Sequence, residues 1–321
     1  MLRLLKNKEI NIALYEKCLE ESGNCSLYTT PAHLDIVSPN WKAIVWQEQE
    51  KYLMVMPIPE ISKMGLKLII QPFFTQQLGI FHIPGFPLPI KKVLSLLANK
   101  YPFVHYQFSS KNLPLIEENL EGFSLKKRTN YILDLNKPCE DLQKAYSSNH
   151  KRNIRKAEKN NIVISKSNDI STLIDIFKQN QGKKIKEVKA KNYVLVEKLF
   201  EHASSRGIGN IYLAKKEEEV IAGIMTIHSK SRIHYIFGTT SPAARESGAM
   251  QLIFNKLIQD YAGTPVFLDF EGSDIKGIAR FFASFGALPE YYPAIYKERM
   301  PLWFSLLLKV KKWLYSLKAT A

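Results

Sequence analysis

Apolar residues recur at two different spacings along this chain, and the change from one spacing to the other marks its elements. Met250, Ile253, Phe254, Leu257, Ile258 and Tyr261 fall at i, i+3, i+4, i+7, i+8 and i+11, one face of an amphipathic helix beginning near Gly248. Just upstream, RIHYIFGTT is rich in β-branched and aromatic residues and predicts a strand. SPAARESGAMQ, residues 241–251, is therefore a strand-to-helix turn, where free N–H groups attract anions. The same patterns predict, in the first half, a helix in NKEINIALYEKCLEES, strands in WKAIVWQ, YLMVMPIP and LKLIIQP, a helix in LPIKKVLSLLANK and a strand in FVHYQFS. The second half repeats that order: three strands in NIYLAKKEEEVIAGIMTIHSKSRIHYIFG, a helix in GAMQLIFNKLIQDYA and a strand in PVFLDFEG. The halves share a plan without sharing letters. FSLKKRTN, basic and turn-rich, precedes the strand-like YILDL and sets the boundary near residue 128.

The chain has 321 residues, 45% of them apolar, which suits about two domains with real cores. Lys and Arg number 45 against 30 Asp and Glu, a formal net charge of +15, which favours phosphate-bearing partners or an anionic membrane surface. Cys18, Cys25 and Cys139 show no CxxC spacing, and the seven histidines form no HxxxH pair. That argues against a disulfide framework or a structural zinc site, and no metal is expected. The start MLRLLKNKEINIAL lacks the apolar core of a signal peptide, and no run reaches about 18 apolar residues, so a cytoplasmic protein is expected. In the first half, the turn equivalent to 241–251 reads GIFHIPGFPLPI, where three prolines remove backbone donors. A phosphate-bearing donor is therefore assigned to the second half.

A strand, then R-x-x-G-x, then a helix resembles the pyrophosphate-binding arrangement of the GNAT acyltransferase superfamily. The motif here is Arg245, Gly248, Ala249 and Met250, with methionine where the family usually carries glycine or alanine. Together with RTNYILDLNKPCEDLQKAYSSNHKRNIRKAEKN and LDFEGSDIKGIARFFASFGA, the chain resembles the Fem-like branch of that superfamily over most of its length. The resemblance implies an α/β (α+β) protein of two tandem GNAT-like domains, each a mixed, mostly antiparallel sheet flanked by helices. Residues 1–128 would form the acceptor side and 129–300 the acyl-donor side. It also implies acyl or aminoacyl transfer to an amine, from acyl-CoA or aminoacyl-tRNA, with a small-molecule or lipid-linked acceptor such as a cell-envelope precursor. The competing expectation is a non-catalytic protein that binds RNA or a nucleotide sugar on a degenerate GNAT fold.

Acyl transfer to an amine requires a neutral amine, a polarised carbonyl and a route for protons. FLDFEGSDIKGIARFF offers Asp269 and Glu271, two apart on one strand face at the strand end, with Glu271 the stronger candidate for a basic or orienting role. Capping of the following helix, or pairing with Arg280, would explain the same carboxylate; Ser273 and Asp274 are themselves N-cap types. Ile278, Phe281, Phe282 and Phe285 repeat at helical spacing and are assigned to the core. Tyr235 is the candidate proton donor, with Tyr291 and Tyr292 as alternatives, although strand aromatics commonly just pack. His228 and His234 are ambiguous in the same way.

Arg152, Arg155, Lys156 and Lys159 share one helical face in a segment, 144–161, whose single acid is Glu158. That face suits a diphosphate or an RNA backbone, tRNA included, with a solvated helix as the plain alternative. GKKIKEVKAK, residues 182–191, reads as a surface loop. In QPFFTQQLGIF, neutral Thr75, Gln76 and Gln77 beside two phenylalanines suit a sugar or peptide acceptor. Residues 301–321 carry one apolar stripe and lysines opposite, a basic amphipathic helix expected to dock on the first domain, with peripheral contact to the inner membrane surface left open. Oligomeric state is not legible.

Overall fold

A strand containing two prolines, Leu288–Glu298, runs from the far end of the chain back into its middle and ties the two halves together. The computed structural model describes residues 1–182, 188–272 and 274–300; the expected helix at 301–321, Ser273 and residues 183–187 of the expected loop lie outside the described residues. The strands are β1 (Leu2–Lys6), β2 (Lys42–Glu48), β3 (Lys51–Ile58), β4 (Glu60–Lys63), β5 (Leu66–Ile70), β6 (Phe81–His82) and β7 (Phe103–Gln107) in the first half. They continue with β8 (Ser124–Asp134), β9 (Ile162–Ser167), β10 (Gly209–Lys216), β11 (Glu219–His228), β12 (Arg232–Thr240), β13 (Phe267–Asp269) and β14 (Leu288–Glu298).

Four strands form a sheet in the order β1-β2-β3-β6, and ten form a second in the order β4-β5-β7-β14-β8-β13-β12-β11-β10-β9. The fold is thus mixed α/β, with mostly antiparallel pairing and two parallel pairs, β5 with β7 and β12 with β13. β14 lies between β7 of the first half and β8, so the large sheet is continuous across the chain. Residue 128, the expected boundary, lies inside β8, where Arg128 pairs with Tyr292.

Three apolar clusters fill the layers. The first-half cluster centres on Trp41, Phe81, Tyr106 and Phe108, all fully buried. The second-half cluster packs the helix Ala249–Tyr261 and the aromatics Phe254, Phe270, Phe282 and Phe285 on the sheet. The spacing assigned to the core by Phe282 and Phe285 is filled as expected, whereas Ile278 is 42% exposed because its turn of the helix Lys276–Ala283 faces outward. In the third cluster the helices Ile170–Gln179 and Ala190–Ser205 cover β10 to β12, and Leu27, Val37 and Phe74 of the first half pack against them. Burial shared across the halves is what fixes their relative placement.

Candidate active site at the junction of the two halves

β12 and β13 run side by side only from Arg232 to His234 and from Phe267 to Asp269. Beyond that point β12 is bulged, its partners on β11 skipping Ile236, while Phe270 N–H turns to the Tyr131 carbonyl near β8. Two parallel strands that part at their carboxyl ends leave a crevice of the kind where α/β sheets place ligands.

A chain of polar side chains sits where they part. Arg232 donates to Asp269 at 2.7 Å and to both oxygens of Glu290 at 2.8 and 3.1 Å, and Asn130 donates to Asp269 at 2.9 Å. Asp269 also accepts the Glu271 N–H at 2.9 Å, so both of its oxygens are taken. Each member comes from a different strand, β8, β12, β13 and β14, so the network depends on the returning strand. Buried polar groups bonded this fully are held in a single arrangement.

Glu271 is the member whose chemistry is unspent. It follows β13 in a left-handed conformation, φ 58°, and Gly272 follows with φ 57°. Only glycine fits at 272, because a Cβ there would stand 2.3 Å from the Thr129 carbonyl. A left-handed glutamate is strained by roughly 1–3 kcal/mol, and such strain collects at functional sites. The turn brings the Glu271 carboxylate to His234 Nδ1 at 2.9 Å, while His234 Nε2 meets Ser229 Oγ at 3.1 Å. Burial, then the neighbouring Asp269 charge, raises the Glu271 carboxyl to about 7, against partial lowering by the His234 hydrogen bond. A carboxylate that exchanges its proton near neutrality is matched to general base work. His234 Nδ1, Asp269 and Glu271 also stand close enough to hold a cation, but the Arg232 guanidinium already supplies positive charge to Asp269.

The first half contributes an aromatic wall. Tyr28 stands edge-on between His33 and His234, each ring centroid 5.3 Å away. His33 is held by Thr75 Oγ1 at 3.0 Å, and burial, then His234, pulls it to about 3, so it is neutral at physiological pH. Two cavities open beside this wall. A polar one of about 160 Å³ is lined by Ser26, Tyr28, Gln77, Lys111, Arg232, His234 and Asp269, among others. A larger cleft of about 790 Å³ runs between the helix Ile12–Glu21 and the helix Ala190–Ser205, and shares Cys25, Ser26 and Ser229 with the first. Lys230 and Glu20 form an ion pair at 3.6 Å across the halves at its lining.

The expected residues divide accordingly. Glu271 and Asp269 are brought together, though by the turn and not by strand alternation. Both Asp269 oxygens already accept hydrogen bonds, from Asn130, Arg232 and the Glu271 N–H. Glu271 pairs with His234, neither capping the helix Lys276–Ala283 nor meeting Arg280. Tyr235 does not join them: it points to the other face, its ring against Phe254 and Phe282 and its hydroxyl over Gly238, and burial pushes it up to about 12. Thr75 bonds to His33 and Gln76 to Asn130, while Gln77 lines the polar cavity. Tyr291 and Tyr292 lie within β14.

Arg245 is exposed on the short helix Pro242–Ser247, and Gly248 ends it with φ 83°. Ala249 is buried and Met250 packs on the second-half core. A Cβ on Gly248 would lie 2.3 Å from the Asn153 carbonyl, so the helix Ser148–Lys159 presses on the start of Ala249–Tyr261. Gly248→Ala is accordingly expected to lower the melting temperature by several degrees, from a strained φ and a backbone clash together, in a calorimetric scan. The helix that carries Arg152, Arg155 and Lys156 thus packs against the helices on either side of Gly248. None of the three has an acidic partner among the described residues, and all three line one shallow basin.

Sequence reasoning did not find Tyr28, Arg232, Asn130 or Glu290. One signal was present: Arg232 and His234, two apart in RIHYIF, put charge on one face of an otherwise apolar strand.

Residues 144–274 match the family model described as acetyltransferase (GNAT) domain. No curated protein matches the chain in sequence. Among solved structures, "Crystal structure of FemX" aligns at TM-score 0.60 with 13% identity, covering 88% of this chain and 96% of that one. A tandem GNAT protein from the clavulanic acid biosynthesis pathway aligns at TM-score 0.56 with 9% identity, over 94% and 99%. The structure of L-PGS from Bacillus licheniformis aligns at 0.54 with 15% identity, over 92% and 95%. The chain has the tandem GNAT fold of these proteins. Among the described residues, no helix is long and apolar enough to cross a membrane.

Proposed function

We propose, for a chain that carries a GNAT domain within a tandem GNAT fold, that it transfers an acyl or aminoacyl group from a phosphate-bearing donor to an amine. The observation that carries this reading is Glu271: strained, half-buried, raised to about 7 and bonded to His234 where two parallel strands part. The Glu271 carboxylate takes a proton from the acceptor amine, the nitrogen adds to the acyl carbonyl, and an N–C bond replaces the C–S bond of a thioester or the C–O bond of an aminoacyl ester. The proton leaves on the departing sulfur or oxygen.

The donor's phosphates are assigned to Arg245, the amides of 249 and 250 and the basic face at Arg152, Arg155 and Lys156; the Gly248 N–H, expected to join them, is taken by the Ala244 carbonyl. Six residue steps along β12 separate His234 from Thr240, about 20 Å at strand rise, so the donor must carry its acyl group on a long arm, as acyl-CoA and the terminus of aminoacyl-tRNA both do. The acceptor, a small-molecule or lipid-linked amine, is assigned to the cleft on the opposite side. Arg245→Ala is expected to weaken acetyl-CoA or aminoacyl-tRNA binding by about 1–3 kcal/mol through loss of a charge-assisted hydrogen bond. Unchanged calorimetric affinity for both would remove the donor from this loop.

The unpaired basic face favours a second reading, an RNA-binding protein without transferase activity. Reversing Arg152 and Lys156 to glutamate separates the two. In a transferase, the variant loses donor affinity and salt sensitivity together. In the second reading, charged and uncharged tRNA bind alike and no acyl group moves.

A further inference from the structure

Tyr28 is 2% exposed, yet its hydroxyl has no hydrogen bond of acceptable geometry. It lies beside Glu271, and burial first, then that carboxylate, raises its pKa well above the tyrosine norm. It therefore keeps its proton and has a hydrogen to donate at neutral pH. Its position is fixed from several sides. Ser26 Oγ accepts the Tyr28 N–H at 3.4 Å at the start of the short helix Leu27–Thr29, and the ring is braced between His33 and His234. The same residue lines the polar cavity with His234 and Asp269.

A rigid, protonated hydroxyl that interacts with the Glu271 carboxylate without a well-formed hydrogen bond, at the wall of a polar cavity, is placed to turn its hydrogen toward negative charge appearing on a substrate. We propose that Tyr28, supplied by the first half, donates a hydrogen bond to the oxygen of the reacting acyl group; this role rests on the acyl-transfer reading. When the amine nitrogen adds to the carbonyl carbon, the C=O π pair moves to oxygen, where Tyr28 Oη meets it without giving up its proton. Collapse returns the pair to re-form C=O and expels the thiolate or alkoxide, which receives the proton held by Glu271. The catalytic centre is then composite: the base comes from the GNAT domain and the oxyanion donor from the other half.

Tyr28→Phe keeps both ring contacts and removes only the hydroxyl. Transfer to hydroxylamine, small enough for the polar cavity, is measured as hydroxamate from acetyl-CoA and from bulk aminoacylated tRNA, across pH 5.5 to 9. The expected result is a high-pH plateau in kcat lower by about 100-fold, with the donor KM within about twofold and the melting temperature within about two degrees. If only the pH midpoint moves and the plateau stays within about threefold, the hydroxyl merely tunes Glu271 and the role is overturned. A melting temperature lower by several degrees also overturns it, because the hydroxyl is then structural. A wild-type protein inactive with both donors overturns the acyl-transfer reading itself, and the role of Tyr28 with it.

Discussion

Glu271→Gln is expected to lower turnover by about two to four orders of magnitude while leaving the protein at least as stable as before. The amide preserves the shape and an acceptor for His234 but cannot take a proton. Wild-type activity should rise with pH through about 7, where the carboxyl ionises, and the variant's residual rate should lose that dependence. Stability moves the other way. A carboxyl whose folded pKa is raised from 4.5 to about 7 binds its proton more tightly in the native state, so its stabilising contribution is complete below 4.5 and is lost as pH rises through about 7. At pH 8 the buried charge costs on the order of 3 kcal/mol. The glutamine variant does not bear this cost, so its stability advantage over wild type, from denaturant melts, should grow between pH 5 and pH 8. A variant with normal turnover would leave Glu271 a structural residue.

Arg232→Met should unfold the protein more readily than any other single change at the junction. The guanidinium bridges Asp269 and Glu290, whose side chains are 3% and 16% exposed. Removing one partner of such a cluster strands the other charges, at about 3–5 kcal/mol. Adding Asp269→Asn removes one stranded carboxylate, so the double variant should regain part of the loss, a non-additivity readable in a double-mutant cycle. Strict additivity would mean that the two residues do not share one network.

Much of this architecture is legible in periodicity. The helices Ile12–Glu21, Ile90–Lys100 and Ala249–Tyr261 and strands β2, β3, β5, β7 and β10 to β13 lie where apolar spacing puts them. β14 does not, because LPEYYPAIYKE holds Pro289 and Pro293, which read as breaks. Pro293 is accommodated because its carbonyl still accepts the Phe108 N–H, so β14 keeps a bond to the segment that continues β7. At the site, Glu271 could be singled out from its place after a strand, but its partner could not. His234 pairs with it only because the chain turns left-handed after Asp269, a conformation no propensity assigns to glutamate. Tyr28 is more remote still. Nothing near it in the sequence distinguishes it from other buried tyrosines, and its meaning comes from a hydroxyl that meets Glu271, 243 residues later in the chain.

The place of β14 also bears on how the chain assembles. During synthesis β7 and β8 emerge long before the strand that must lie between them, and until residues 288–298 arrive each exposes an open edge able to pair with another chain. Closing the large sheet is therefore a late, long-range event, of the kind that slows folding and exposes intermediates to aggregation. The same step completes the Arg232 cluster through Glu290, so the junction is organised only when the sheet closes. Refolding followed by both tryptophan fluorescence and recovery of activity should show the first half burying Trp41 and Trp46 early and activity returning only with the slowest phase.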